Sequence, residues 1–227
     1  MVYKDSLKCR RRTELRKNIE MRNYNKQNKP QIVTTRFNNK TWQENENYRM
    51  KHYPALGCAY GVPTKTNNNF ASDEILLVLE MNNEQNRIMG IGMVKNEVLY
   101  RNKCYNVYNN EEYNRYIYLG KYRIDRNEMN SEEEDIMKVF DILCFTGKRH
   151  QKRLSGIKSF PVDMLYKMSK RAIELEKPDL VDFMTNMFKN IHYDSFLNNT
   201  KWQKKTPRFT EGSNSLIIII LIYFYRY

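Results

Sequence analysis

The sequence of 227 residues has few cysteines, the residues that structural zinc sites and disulfide-stabilised folds require. Its four cysteines, Cys9, Cys58, Cys104 and Cys144, lie far apart and form no CxxC or CxxH pair, so we expect no zinc site and no other metal. A chain of this length can bury a core without disulfides, and no apolar segment follows Met1. We therefore expect an intracellular protein in a reducing compartment, with neither disulfides nor a cofactor.

The sequence motifs of common enzyme classes are also absent. There is no GxSxG, P-loop or HExxH motif and no nuclease-like arrangement of acids and lysine. The acids at 132–135 stand in the first turn of a predicted helix, where negative charge stabilises the helix dipole. Glu80 is the one acid inside an apolar strand, where it either pairs with an arginine across the sheet or lines a pocket. We predict no catalytic residue, and an enzyme whose active site is built from scattered residues is the weaker alternative.

Long apolar runs are missing except in residues 215–227, which read SLIIIILIYFYRY. As a helix, the run from Leu216 to Phe224 would rise only ~14 Å, about half the hydrocarbon core of a bilayer. Isoleucine and tyrosine fit a strand or a buried tail better, and a chance extension of the reading frame is a third alternative. We therefore expect no membrane partner.

Positive charge and aromatic residues are abundant. There are 39 lysines and arginines against 26 aspartates and glutamates, a net charge of +13, and 13% of residues are aromatic. Residues 1–30 hold ten cations and three anions, and residues 147–171 hold eight cations and one anion. An AT-rich codon usage accounts for many lysines and tyrosines but not for this clustering. Since cations attract phosphates and aromatic rings stack on bases, the expected partner is nucleic acid, either RNA or DNA.

Three groups of residues are predicted to contact nucleic acid. The segment 147–156, GKRHQKRLSG, places four cations and a histidine at a predicted helix end, with a solvated charged loop as the alternative. The N-terminal arm adds cations, and aromatic residues beside cations are predicted to stack on bases unless they are buried in the core. The predicted contact residues are Lys148, Arg149, His150, Lys152, Arg153, Arg10, Arg11, Arg12, Arg115, Trp42, Tyr116 and Tyr118.

The pattern along the chain predicts an α+β fold, with a small curved sheet or β-barrel followed by a helical part. Strand-like runs at 74–81 and 87–94 flank a hairpin loop, and further strands are predicted at 103–108 and 114–125. Two glycines and two prolines make 53–63 a predicted loop. The predicted parts are a basic arm or short surface helix (1–30), a β-rich domain (31–128), a helical part (129–200), and a basic linker with the apolar tail (201–227).

Helical periodicity dominates the predicted helical part. Ser131 and Glu134 form a predicted capping box, and Gly147 is predicted to end the first helix. Two further apolar stripes, within 162–173 and 180–191, predict two more helices.

Two glycines stand one residue apart in the second hairpin strand, RIMGIGMVK. Gly90 and Gly92 lack the third glycine and the following helix of a dinucleotide-binding loop. We therefore interpret them as places where a strand bends or where another part of the chain approaches the backbone closely.

This hairpin, from Asp73 to Met81 and from Arg87 to Val94, resembles the core hairpin of the PUA-like superfamily, which includes the EVE, ASCH and YTH domains. The resemblance implies a small barrel over residues 31–128 that binds RNA or DNA and recognises an extruded or modified base in an aromatic-lined pocket. YTH readers use a cage with tryptophans, whereas this chain has only Trp42 and Trp202, so methyl-adenine recognition is not predicted.

The longer segments MNNEQNRIMGIGMVKN, YNRYIYLGKYRID and FTGKRHQKRLSGI are similar to a protein family of giant DNA viruses, whose function the similarity does not supply. This second resemblance implies the host cytoplasm, a viral factory or the virion as the location, and other viral proteins as further partners. The alternative function is therefore a structural or genome-packaging component that neutralises phosphates without reading bases.

Overall fold

The structure is a computed structural model that describes residues 2–27, 30–66, 70–100, 105–153 and 155–191. The predicted linker and tail, 201–227, lie outside these residues. The helices are α1 (Val2–Gln27), α2 (Asn39–Lys51), α3 (Ser131–Phe145), α4 (Val162–Glu174) and α5 (Leu180–Ile191). The strands are β1 (Gln31–Phe37), β2 (Cys58–Val62), β3 (Ile75–Asn82), β4 (Arg87–Lys95), β5 (Leu99–Tyr100), β6 (Tyr116–Gly120), β7 (Tyr122–Asp125) and β8 (Lys158–Ser159).

The strands form two sheets, which confirms the predicted α+β class. A five-stranded mixed sheet has the order β7-β4-β3-β1-β8, in which β1 and β3 run parallel, and a three-stranded sheet has the order β2-β6-β5. Only Lys121 separates β6 from β7, so the chain passes directly from one sheet into the other. Neither sheet closes into a barrel in the described residues, because the two edge strands of each sheet, β7 and β8 in the first and β2 and β5 in the second, do not pair with each other.

The predicted hairpin is present as β3 and β4, and it forms the centre of the molecule. Leu77 and Leu79 belong to a core cluster with residues of α3, α4 and α5, whereas Leu76 and Val78 belong to a second cluster with residues of β2 and β6. Alternate side chains of a strand point to opposite faces, so β3 is buried on both sides. This double burial explains its continuous apolar sequence.

The glycines of β4 admit side chains from neighbouring strands, as interpreted from the sequence. A Cβ at Gly92 would clash with the hydroxyl of Tyr60 and come within 2.9 Å of the Cys58 Sγ. A Cβ at Gly90 would lie 2.6 Å from Nη2 of Arg123 and 3.0 Å from Oε2 of Glu80. Both positions therefore serve close packing.

Two helices differ from the sequence-based expectation. The N-terminal segment is a 26-residue helix rather than an arm or a short surface helix. Its final turns are held by hydrogen bonds from Tyr24 to Asp179 (3.1 Å) and from Tyr166 to Glu20 (2.6 Å), contacts that hydrophobic periodicity does not reveal. Helix α2 was not predicted, because in it only Trp42 and Asn45 are buried and no apolar stripe marks it.

One loop prediction and one strand prediction were wrong. The predicted loop 53–63 contains β2, where Gly61 lets the carbonyl of Tyr113 approach closely instead of breaking the strand. The described part of the predicted strand 103–108 is irregular, because the side chain of Asn114 occupies both backbone groups of Tyr108 (3.0 and 2.6 Å). The single strand predicted over residues 114–125 is two strands, β6 and β7, which belong to different sheets.

The N-cap of helix α3 lies one residue earlier than the sequence predicted. Asn130, not Ser131, is the N-cap: its side chain accepts from the amides of Glu132 and Glu133, and Glu133 accepts from the Asn130 amide. The helix ends at Phe145, two residues before Gly147, whose φ of 73° fits a chain reversal that glycine tolerates. In the part of the chain that the structure describes, no helix is both long and apolar enough to span a membrane.

Candidate nucleic-acid interface

A cavity of about 260 Å³ lies where the end of β1, the start of α2, the end of β2 and the basic segment come together. Its lining includes two cations, Arg36 and Lys152, but no carboxylate from the described residues. Three aromatic residues, Phe37, Tyr108 and Tyr113, form part of its wall. The cavity therefore combines positive charge with aromatic surface.

Arg36 is partly buried beside the cavity and ties the basic segment to β1. Its Nη1 donates to the carbonyl of Gln151 (3.2 Å), and its Nη2 donates to the carbonyl of Gly156 (2.9 Å). Burial lowers the pKa of Arg36 to about 10, which leaves the guanidinium charged at neutral pH. No described carboxylate forms an ion pair with it. Within the part of the chain that the structure describes, Arg36 thus holds an uncompensated positive charge.

Lys152 supplies the second cation of the cavity. Its Nζ donates to Oδ1 of Asn86 (2.7 Å), a neutral acceptor in the β3–β4 turn. The Asn83 side chain donates to the carbonyl of Lys152 (3.1 Å), while its own Oδ1 is buried and has no hydrogen-bond partner among the described residues. The turn therefore positions Lys152 but does not neutralise it.

The other predicted residues of the basic segment differ in whether an ion pair neutralises their charge. Arg149 makes a two-pronged ion pair with Asp163 (2.5 and 2.8 Å), and this contact lowers the pKa of Asp163. Lys148 and Arg153 are exposed, and neither has an ion pair among the residues described. His150 accepts from the Lys152 amide through Nδ1 (3.3 Å). The phosphate contact predicted for Arg149 competes with its carboxylate partner, which weakens that prediction.

The burial of Trp42 and Tyr118 argues against their predicted role in base stacking. Trp42 is 8% exposed, packs edge-on against Phe37, and lies under the guanidinium groups of Arg49 and Arg123, each 5.5 Å from the ring centroid. Tyr118 is fully buried, and its hydroxyl accepts from the Thr66 amide (3.0 Å). Both rings belong to the core, which was the stated alternative for the tyrosines.

Arg115 and Tyr116 form a separate pair at the start of β6. The Arg115 guanidinium is exposed and lies 5.9 Å from the ring centroid of Tyr116, which is half-buried. Neither residue lines the cavity. The structure therefore does not bring this predicted pair to the basic segment.

Tyr113 is the accessible aromatic residue of the cavity wall. It belongs to the tyrosines beside cations that the sequence predicts to stack on bases unless they are buried, but it was not one of the contact residues named individually. It is 38% exposed and packs edge-on against Tyr108, with 6.0 Å between ring centroids. Tyr108 is buried, accepts from Nδ2 of Asn45 (3.1 Å), and has a pKa raised by that burial. Only its place among alternating tyrosines and cations could have pointed to Tyr113.

A buried polar cluster between the two sheets supports the cavity wall. Glu80 accepts from the Tyr60 hydroxyl (2.7 Å) and from Nε of Arg123 (2.9 Å to Oε2). Burial is the largest single influence and lowers the pKa of Arg123, but the Glu80 and Asp125 carboxylates together raise it further, and the net shift is upward. Glu80 thus pairs with an arginine across the sheet, the first of its two predicted roles. Arg123 in turn lies over Trp42, which packs against Phe37 of the cavity.

The predicted arm residues Arg10, Arg11 and Arg12 are exposed on α1. No residue of α1 lines the cavity, and the helix docks on α4. A second cavity of about 550 Å³ lies near the end of α1, but it carries charges of both signs, Lys26 and Glu74. The arm therefore forms a basic surface of its own.

No group of three or more potential metal-ligating side chains occurs within the described ranges. Comparisons with protein-family models, with curated proteins and with solved structures found no match to this chain.

Proposed function

We propose that the protein binds nucleic acid, RNA or DNA, and holds one nucleotide in the cavity at the end of β1. The observation that carries this proposal is the pairing of two uncompensated cations, Arg36 and Lys152, with the accessible ring of Tyr113 in one concave site. Cations neutralise phosphates, and an aromatic face stacks on a base of any sequence.

Exposed cations near the cavity extend this site along a phosphate chain. Lys148 and Arg153 belong to the same segment as Lys152 and are accessible to solvent. Such contacts position the backbone but carry no base information. Any discrimination between bases is therefore expected to come from the cavity.

The PUA-like assignment is the finer part of this proposal. It rests on the resemblance of the β3–β4 hairpin, and it implies a reader of RNA or of a modified base. The cavity, rather than Trp42 or Tyr118, is then the place for an extruded base, because its wall is the accessible one.

A structural or genome-packaging role is the second candidate, and one observation favours it. Leu15 and Ile19 are 61% and 48% exposed, four residues apart on the basic helix α1. Residues at this spacing share one helix face, which suits an assembly contact beside a phosphate-neutralising surface. This role requires no base pocket.

Fluorescence anisotropy of the full chain with single- and double-stranded RNA and DNA at several salt concentrations tests the proposal. Reversing charge at Lys148 and Arg153 is expected to lower the salt slope by about 1.4 for single strands and 1.8 for duplexes, the share of two phosphate contacts. The control reverses Lys95 and Lys170, which are exposed and do not line the cavity.

A second pair of variants separates a reader from a packaging protein. Tyr113→Ala is expected to weaken binding by about 1–3 kcal/mol, the usual contribution of one stacked base. The control Tyr53→Ala removes another exposed ring, 79% exposed, that does not line the cavity. If both variants bind like the parent protein while the charge reversal weakens binding, the packaging role is favoured over the reader.

A further inference from the structure

The charges around the cavity point to a particular ligand. We propose that Arg36 and Lys152 bind a terminal phosphate monoester, so that the cavity holds the phosphorylated end of an RNA or DNA strand. This inference rests on the proposed function and assigns the part of the nucleotide that enters the cavity.

The first step is charge balance. The partners of Arg36 are two carbonyl groups and the partner of Lys152 is an amide oxygen, so no partner in the described chain carries a negative charge. A partly buried guanidinium without a counter-charge is unfavourable, and a ligand that supplies the charge relieves this cost. A phosphate monoester carries about −1.5 to −2 at neutral pH, as on a phosphorylated side chain, and so matches two cations. A backbone diester carries a single charge.

The second step is the count of free donors. A guanidinium has five N–H donors and an ammonium has three. Arg36 uses two donors on the carbonyls of Gln151 and Gly156, and Lys152 uses one on Asn86. As far as the described residues show, five donors are therefore left for phosphate oxygens, which is more than one neutral base edge can accept. The hydroxyl of Ser155, also in the lining, is a further donor.

The third step is size. Cavities that hold ligands usually measure roughly 300–1,000 Å³. This cavity of about 260 Å³ lies just below that range, and Tyr113 stands at its wall with 38% of its surface exposed. One terminal group fits such a space better than a strand that must enter and leave it. We expect the adjoining base to stack on Tyr113.

The experiment measures anisotropy of the full chain with matched oligonucleotides labelled at the end not tested. One pair carries a 5′ phosphate or a 5′ hydroxyl, and a second pair carries a 3′ phosphate or a 3′ hydroxyl. The expected result is at least tenfold tighter binding of the phosphorylated member of one pair. A nucleoside monophosphate is also expected to compete for the site better than the nucleoside, and this comparison detects free nucleotides as a source of the same group.

Variants distinguish a site from general attraction. Lys152→Gln is expected to reduce the tenfold preference to about twofold, whereas Lys152→Arg retains it. Lys148→Gln, the control from the same segment, is expected to weaken both oligonucleotides equally and leave their ratio unchanged. Arg36→Lys keeps the positive charge but has fewer hydrogen-bond donors. It is measured together with the Lys152 and Lys148 variants because Arg36 also holds the basic segment against β1.

The outcomes separate the two proposals. Equal affinity for phosphate and hydroxyl ends, with tight binding of both, overturns the terminal-phosphate proposal and leaves the proposed function standing. An unchanged ratio in Lys152→Gln overturns it as well. Absence of binding to every oligonucleotide overturns the proposed function and this inference together, unless the nucleoside monophosphate still binds, in which case only the strand is excluded.

Discussion

Removing the guanidinium of Arg123 is expected to destabilise the sheet core strongly. Glu80 is fully buried, and its carboxylate lies 2.8–3.2 Å from the Arg123 nitrogens. Arg123→Met keeps most of the apolar stem but leaves this carboxylate, among the described residues, with the Tyr60 hydroxyl as its one side-chain partner. Removing one partner of a buried ion pair costs about 3–5 kcal/mol in the free energy of unfolding.

Urea denaturation followed by far-UV circular dichroism measures this free energy. Arg115→Met is the matched control, because Arg115 is exposed over Tyr116 and surface changes usually stay within about 0.5 kcal/mol. The double variant Glu80→Leu with Arg123→Met removes both charges, and we expect it to regain at least about 2 kcal/mol over the single variant. A loss below about 1 kcal/mol in Arg123→Met, or a double variant no more stable than it, would refute this reasoning.

Three further predictions concern packing, capping and charge. Gly92→Ala is expected to lower the free energy of unfolding by about 1–3 kcal/mol through overpacking against Tyr60, and by less in a Tyr60→Phe background that lacks the clashing hydroxyl. Urea denaturation of the parent protein, the two single variants and the double variant measures this, and an equal cost of Gly92→Ala in both backgrounds would contradict it. Asn130→Ala is expected to lower the melting temperature through the loss of about 1 kcal/mol of capping, whereas Asn130→Asp should stay close to the parent protein. Arg149→Gln is expected to raise the lowered pKa of Asp163 toward 3.8, which NMR titration measures; an unshifted pKa would contradict the pairing. Because folding lowers the pKa of Asp163, the ion pair stabilises the fold at pH values above the unfolded-state pKa. This stabilisation is lost as the pH falls through the folded-state pKa.

The sequence predicts those elements whose burial is periodic or continuous. The β3–β4 hairpin was identifiable because β3 is apolar on both faces, and α4 and α5 because each has a one-sided apolar stripe. Helix α2 escaped prediction because its stability comes from the Asn38 cap and from Trp42 rather than from a stripe. The barrel was wrong because pairing between the outermost strands depends on tertiary geometry, which local patterns do not contain.

The candidate site was only half predictable for the same reason. The basic segment with Lys152 stands out as a local cluster of charge, whereas Arg36 is a single cation in an ordinary strand. Tyr113 and Arg36 are distant in sequence and meet only through folding. Trp42 was predicted to stack on a base, but the guanidinium groups of Arg49 and Arg123 already pack onto its ring in the folded chain.

The position of Glu80 has a consequence for strand alignment. Side chains on β3 alternate between two apolar cores, so a slip of one residue against β1 or β4 would turn every side chain to the opposite face. A purely apolar β3 would tolerate such a slip, because both cores accept leucine and valine. With Glu80 in place, the slip would move a carboxylate from Arg123 and Tyr60 into the apolar layer against α3 and α5. The buried ion pair therefore selects a single alignment of the central strand, even if an apolar pair would make the fold more stable.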